Sequence, residues 1–157
     1  MARSLFASGA RVVSVDYGGW DNHMSIRNAY LDKGPALDHA IAGLITDLDQ
    51  RGMLDDTLVV TAGEFGRTPK INKNAGRDHW PQCGFVVLAG GGTKRGLVLG
   101  KTDKQAAYPV DRPVSAGDMA ATIYQQLGVD PTLTGNDLLG RPIHIAHGGQ
   151  PGCEVIG

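Results

Sequence analysis

The stretch that decides the fold is residues 57–67, which read TLVVTAGEFGR. Its first half is a short run of β-branched and apolar residues, typical of a strand buried on both faces of a parallel sheet. Its second half begins a polar loop that continues to Gln82. We therefore expect a buried strand that ends in a loop carrying Glu64 and Arg67.

Strand patterns recur on both sides of this stretch. The chain opens with the last turns of a helix that ends at Gly9, followed by the β-branched run RVVSVD at 11–16. The run FVVLA at 85–89 predicts a third buried strand. Shorter apolar runs at 97–99 and 143–145 predict an edge strand and one further strand.

Two longer helices are predicted between and after these strands. Pro35 opens the first, apolar residues recur at helical spacing through Arg51, and Gly52 ends it. The second follows a capping sequence at 115–118 and ends at Gly128. Strands that alternate with helices predict an α/β fold with a mainly parallel sheet flanked by helices.

Composition excludes several classes of protein. The chain has 157 residues, so we expect a single domain over residues 1–157. The formal net charge is −1, which argues against a dedicated nucleic-acid binder. No apolar run approaches the roughly 18 residues of a membrane-spanning helix, and the N-terminus lacks the apolar run of a signal peptide. Cys83 and Cys153 lack metal-site spacing and are expected to be free thiols.

The residues that could carry chemistry lie in three separate segments. Asp21 and His23 are two apart, so in an extended segment both face the same side. Glu64 comes just after the strand quoted above, and Asp78 and His79 are adjacent in the loop that follows. Because ligands bind beyond the carboxyl ends of the strands in open α/β sheets, we expect the three segments to meet at one edge.

Carboxylate and imidazole side chains gathered at one place indicate a divalent metal site. Together they suit Zn²⁺, Mn²⁺ or Fe, whereas carboxylates alone suit Mg²⁺ or Ca²⁺. Such an ion can polarise a phosphoryl or sulfuryl oxygen or activate a water molecule. Arg67 could clamp an oxyanion through two parallel hydrogen bonds.

Each segment also has an ordinary structural explanation. Residues 21–22 could form an Asx turn that leaves His23 at the surface. Glu64 could be a solvated loop carboxylate or pair with Arg67, and residues 78–79 could belong to a plain surface loop. Only convergence of all three segments favours the metal site over these alternatives.

The motifs taken together resemble one uncharacterised family. They are GGWDNH at 18–23, TLVVTAGEFGRTPKIN at 57–72, GRDHW at 76–80 and LAGGG at 88–92. This set resembles the sulfatase-like family called domain of unknown function 1501, over almost the whole chain. That family is similar to the alkaline phosphatase superfamily, which also contains sulfatases, phosphodiesterases and cofactor-independent phosphoglycerate mutases.

The resemblance implies an alkaline phosphatase or sulfatase-like sheet with one or two metals at its C-terminal edge. By this resemblance Asp21 and His23 take the place of the superfamily's Asp…His pair. Glu64 stands where an aspartate after a strand is expected, and His79 takes the place of the late histidine.

This sequence also departs from the superfamily pattern. Phe65 follows the carboxylate where a histidine or asparagine ligand is usual, and the spacing of Asp21 and His23 is short. The early aspartate and the nucleophile of the superfamily would lie before Met1. We therefore expect the chain to be the C-terminal part of a longer, exported family member, whose missing part supplies the nucleophile and any export signal.

The sequence thus predicts a metal-dependent hydrolase-type domain that acts on phosphate or sulfate esters of small molecules or glycans. The expected ligands of a divalent metal (Zn, Mn, Mg or Ca) are Asp21, His23, Glu64 and His79. Asp78 is a further ligand or orients a histidine, and Arg67 clamps an oxyanion.

Two rival hypotheses stay open at this point. The chain could be a catalytically silent fragment or binding module, given the absent nucleophile and Phe65, and it would then self-associate through its truncated edge. It could also be a phosphomutase or transferase that uses the same residues.

Overall fold

The computed structural model describes residues 2–157, which form helices and short strands joined by long irregular segments. The helices are α1 (Ala2–Ala7), α2 (Ile26–Gln50) and α3 (Ala116–Gln126). The strands are β1 (Val59–Ala62), β2 (Gly66–Arg67), β3 (His79–Trp80), β4 (Val86–Ala89), β5 (Lys101–Thr102), β6 (Pro109–Asp111), β7 (Thr134–Asn136) and β8 (Pro142–His144).

Every sheet within residues 2–157 is a two-stranded antiparallel pair: β1 with β4, β2 with β3, β5 with β6 and β7 with β8. The predicted α/β fold, a mainly parallel sheet flanked by helices of the alkaline phosphatase or sulfatase type, is therefore wrong. Parallel neighbours need a crossover connection, usually a helix. Residues 63–85, between β1 and β4, contain Pro69 and Pro81 and form no helix, so the chain turns back on itself.

The strand predicted at residues 11–16 is also wrong. This segment forms neither helix nor strand, and Val12 and Val15 are 72% and 70% exposed. Without a paired strand before α2, the described chain has no βαβ unit. The edge strand predicted at 97–99 is likewise not formed. Gly96 and Gly100, on either side of that run, adopt positive φ and bend the backbone away from an extended path.

Helix α2 begins nine residues earlier than predicted and contains Pro35 in its interior. Its start is held from outside the helix, since the backbone N–H of Ser25 donates to Asn74 O (3.0 Å) and that of Ile26 to Ala75 O (2.9 Å). These bonds satisfy N–H groups that a helix start leaves unpaired. The predicted end is confirmed: Gly52 has φ +66° just beyond the helix.

The predicted capping box of α3 is confirmed. Ser115 Oγ accepts from the backbone N–H of Asp118 (3.1 Å), and Asp118 Oδ2 accepts from the backbone N–H of Ser115 (2.8 Å). β8 overlaps the strand predicted at 143–145, and Cys83 and Cys153 are free thiols, as predicted.

The buried core is small. Its members among the described residues are Leu48, Leu54, Ala121 and Ala146, with Thr122 as the buried polar residue. Leu54 ties the turn after α2 to the turn after β4, because its carbonyl accepts from the backbone N–H of Gly91 (2.9 Å). Across residues 2–157, no helix combines the length and the apolar character that spanning a membrane requires.

Candidate metal centre

Nested antiparallel pairing builds the site. β1 leads into β2, β3 leads back into β4, and Arg67 lies directly opposite His79 in the β2–β3 register. Residues 64–67 and 78–80 are therefore neighbours because the chain folds back, not because parallel strands end at a common edge. Sequence reasoning expected the two segments to be close but attributed this to the wrong topology.

The segment that carries Asp21 and His23 is joined to the same loop by backbone contacts. The N–H of Arg77 donates to Asn22 O (3.1 Å), and Met24 forms a β-bridge with Ala75. All three predicted segments thus meet at one place, and the side chains of Asp21, His23 and His79 lie together there.

Asp21 Oδ1 is the centre of the cluster. It lies 3.0 Å from His23 Nε2 and 2.9 Å from His79 Nε2, and it accepts a hydrogen bond from Arg67 Nη1. Three cationic or cation-forming side chains therefore face one carboxylate oxygen. The histidine rings lie side by side, with centroids 4.9 Å apart.

His23 is bound on its other side by Asp78. His23 Nδ1 lies 2.7 Å from Asp78 Oδ1, so the imidazole bridges two carboxylates. The main chain of Asp78 is itself held by Thr68. Its N–H donates to Thr68 Oγ1 (3.1 Å), and its carbonyl accepts from the N–H of Thr68 (2.9 Å).

Arg67 and Phe65 form the wall of the cluster. Arg67 is only 17% exposed; besides Asp21 it contacts Glu64, with Nη2 3.3 Å from Oε1. The Phe65 ring lies 4.6 Å from the His79 ring and beneath the Arg67 guanidinium. Phe65, where the family resemblance leads one to expect a ligand, instead packs against one of the histidines.

The hydrogen bonds shift the pKa values of the cluster. Hydrogen bonds lower the pKa of Asp21 to about 2, with the largest contribution from His79 and the next from Arg67. The bond with Asp78 raises the pKa of His23, and the same bond lowers the pKa of Asp78. These hydrogen bonds favour the ionised forms of Asp21 and Asp78 and the protonated form of His23.

A divalent cation fits three of these residues. One carboxylate oxygen of Asp21 and one ring nitrogen each of His23 and His79 all lie within 4.8 Å of one another. Their side chains are 56%, 44% and 48% exposed, so water or a ligand can approach from outside. Mixed oxygen and nitrogen donors of this kind suit Zn²⁺, Mn²⁺ or Fe²⁺.

The other predicted site residues lie around these three donors. Glu64 is outside the group and pairs with Arg67, the ordinary structural arrangement considered for it above. Asp78 hydrogen-bonds the ring of His23, as expected of a partner that orients a histidine. Sequence reasoning did not single out Asn72, whose side chain contacts both His23 and Asp78. The turn-forming residues that follow it, Asn74 and Gly76, were the available signal, because an Asn side chain often accepts from the backbone N–H two residues on.

Comparison with known proteins identifies one family. Residues 1–156 match the family described as "Protein of unknown function (DUF1501)". No curated protein and no solved structure matches the chain significantly.

Proposed function

The chain belongs to the DUF1501 family, and from this premise we propose that it binds a divalent cation through Asp21, His23 and His79 and hydrolyses phosphate or sulfate esters. One observation carries the proposal: three metal-type donors from two distant segments of the chain lie within 4.8 Å of one another. The reaction class rests on the resemblance of the motifs to a sulfatase-like family. The described residues do not form the sheet of the alkaline phosphatase superfamily, so the fold does not support this step.

A bound cation would supply Lewis-acid polarisation of a phosphoryl or sulfuryl oxygen. Its proposed ligands are half exposed, which is typical of catalytic rather than closed structural sites. Glu64, predicted as a fourth ligand, is assigned a different role here, because it lies outside the group of three donors and contacts Arg67.

The side chains around the donors bind the ester and orient the metal ligands. Arg67 is the proposed clamp for the ester oxyanion, since its guanidinium is held in place by Asp21 and Glu64 and supported by the Phe65 ring. Asp78 holds the Nδ1 proton of His23, which leaves Nε2 as the nitrogen that faces Asp21 and the cation.

The nucleophile in this proposal is a water molecule. The Thr68 hydroxyl, which contacts the backbone of Asp78, is already engaged: it donates to Lys70 O (3.0 Å) and accepts from the N–H of Asp78 (3.1 Å). The half-exposed donors leave solvent free access to the cluster.

Metal analysis of the purified chain tests the proposal. We expect about one equivalent of divalent metal after mild dialysis, and loss of at least tenfold in affinity for His23→Ala and His79→Ala. His144→Ala, which removes an exposed histidine on β8, is the matched control and should leave binding unchanged.

Turnover of p-nitrophenyl phosphate or p-nitrophenyl sulfate then tests the reaction. We expect it to require the metal and to fall in Glu64→Gln, because loss of the negative charge weakens one of the two contacts that hold Arg67 in place. A parent chain that binds no metal, or histidine variants that bind it as tightly as the parent does, would refute the cation site.

A second candidate, a binding module without turnover, is favoured by the exposed apolar surface. Phe85, Val86 and Val87, at and before β4, are 83%, 40% and 48% exposed. Apolar surface of this kind commonly marks a contact with another protein. Metal-dependent turnover by the chain alone eliminates this candidate, and its absence at every metal loading supports it.

A further inference from the structure

We propose that Asn72 is the positioning residue of the cation site, a role that rests on the proposed function: it orients His23 by holding both its main chain and its carboxylate partner. Asn72 does not contact the three donor atoms. It acts through His23 and Asp78, the two residues that its side-chain amide nitrogen reaches.

The Asn72 side chain uses its full hydrogen-bonding capacity. Nδ2 lies 3.0 Å from His23 O and 3.1 Å from Asp78 Oδ1, and Oδ1 accepts from the N–H groups of Asn74 and Gly76, both at 2.9 Å. A carboxamide offers two donor hydrogens and two acceptor lone pairs, so all four positions are taken.

The orientation of the amide is determined by its partners. Two of the four are backbone N–H groups, which only donate, and two are oxygens that accept. The oxygen must therefore face the turn at 74–76, and the nitrogen must face His23 and Asp78. The oxygen thus closes the turn, and the nitrogen joins that turn to the cluster.

The nitrogen end holds His23 at two points. One hydrogen bond holds the carbonyl of His23, and the other places Asp78 Oδ1, which in turn accepts from His23 Nδ1. With both its backbone and its ring anchored, His23 keeps Nε2 directed at Asp21, 3.0 Å away. Partners that orient a metal-binding histidine in this way typically change metal affinity by about 10–100-fold.

The turn closed by Asn72 leaves no room for a side chain at position 76. A Cβ atom there would lie 2.0 Å from the carbonyl carbon of His23. The loop thus packs directly against the His23 backbone, which brings the amide of Asn72 within reach of His23 and Asp78.

Asn72→Asp separates the two roles of the amide. The aspartate keeps an oxygen for the turn but replaces the donor with a second oxygen, which faces the oxygens of His23 and Asp78. Asn72→Ser is the uncharged counterpart, because a serine hydroxyl can still close the turn but is too short to reach Asp78. Asn74→Asp is the matched control, since it adds the same charge two residues away and the Asn74 side chain makes none of these bonds.

The experiment is isothermal titration of Zn²⁺ and Mn²⁺ into the metal-free full chain, with circular dichroism to confirm that each variant folds. We expect the dissociation constant to rise at least tenfold in Asn72→Asp and Asn72→Ser and to change less than about twofold in Asn74→Asp. The added charge of Asn72→Asp would by itself favour a cation, so weaker binding there reports lost positioning. If Asn72→Asp does not fold, Asn72→Ser decides.

A second measurement separates this inference from the proposed function. In histidine-labelled, metal-free chain we expect a resolved Nδ1–H resonance of His23, assigned by its loss in Asp78→Ala. It should broaden in Asn72→Ser and persist in Asn74→Asp. Parent-like binding in the Asn72 variants overturns the role of Asn72 while the cation site stands. A parent chain that binds no cation overturns the proposed function, and the role of Asn72 in orienting His23 is then decided by the resonance alone.

Discussion

Asp21 shows at the scale of a single residue how one carboxylate organises the cluster. Its Oδ1 atom is faced by two imidazoles and a guanidinium, and these hydrogen bonds hold its pKa at about 2. The carboxylate is therefore ionised at neutral and mildly acidic pH. A cation bound beside it would replace the protons that the imidazoles now direct at the same oxygen.

Gly76 is a residue at which the site tolerates little change. A Cβ added there would lie 2.2 Å from His23 O and 2.3 Å from Met24 N, both main-chain atoms that cannot rotate away. We expect Gly76→Ala to lower the free energy of unfolding by about 3 kcal/mol, the upper end of typical overpacking costs. Urea denaturation followed by circular dichroism measures it.

Gly43→Ala in α2 is the control for that substitution. A Cβ at Gly43 meets no atom within 4 Å, so alanine should raise the free energy of unfolding by about 0.5–1 kcal/mol through helix propensity. Equal effects of the two substitutions would show that the loop does not pack on His23 as described.

At the scale of elements, α3 depends on a charged cap. Asp118 Oδ2 accepts from the N–H and hydroxyl of Ser115, and Oδ1 accepts from the N–H of Gln150 (2.8 Å), which ties the helix start to the C-terminal segment. These bonds lower the pKa of Asp118 below its usual value, and the bond from the Gln150 N–H makes the largest contribution.

The lowered pKa predicts a pH dependence of stability with a definite sign. Because the folded chain binds this proton less readily than the unfolded chain, the stabilisation is fully present above the unfolded pKa of about 3.9 and is lost as the pH falls through the folded pKa. In Asp118→Asn the free energy of unfolding should fall less steeply than in the parent as the pH drops through and below the unfolded pKa. Parallel curves for the two proteins would contradict this assignment.

The elements also show where sequence patterns suffice and where they do not. The α3 capping box and the end of α2 at Gly52 were predicted because capping and glycine termination depend on neighbouring residues. The start of α2 was missed because its first N–H groups are satisfied by Asn74 and Ala75, roughly 50 residues along the chain. A strand pattern likewise cannot identify the partner strand, so β1 and β4 were both correctly expected as strands but their antiparallel pairing was not.

At the scale of the whole molecule, exposed apolar side chains outnumber the buried ones in the part of the chain that the structure describes. The most exposed of the large ones are Val12, Val15, Phe85, Val98, Leu138 and Leu139, each at least 70% exposed. Burial of apolar surface is the main favourable contribution to association, at about 25 cal/mol for each Å² removed from water. This surface is available for contact with another protein or another copy of the chain.

We expect the chain to self-associate. The weight-average sedimentation coefficient should rise with protein concentration, and the chain should bind the dye ANS while folded. Phe85→Ser should reduce both effects, whereas Gln105→Ser, at another exposed position, should not. A single monomeric species at all concentrations, without dye binding, would show that this surface does not mediate self-association.

Some properties of this protein were determined by its sequence alone. The donor types, the three segments that carry them, the capping of α3 and the motifs shared with the family all depend on residues close together in the chain. Only the tertiary structure decided that the strands pair antiparallel, that Glu64 turns to Arg67, and that Asn72 joins the loop to His23. The physical reason is that strand pairing and side-chain hydrogen bonds join residues far apart in sequence, and a local pattern carries no information about which distant partner satisfies them.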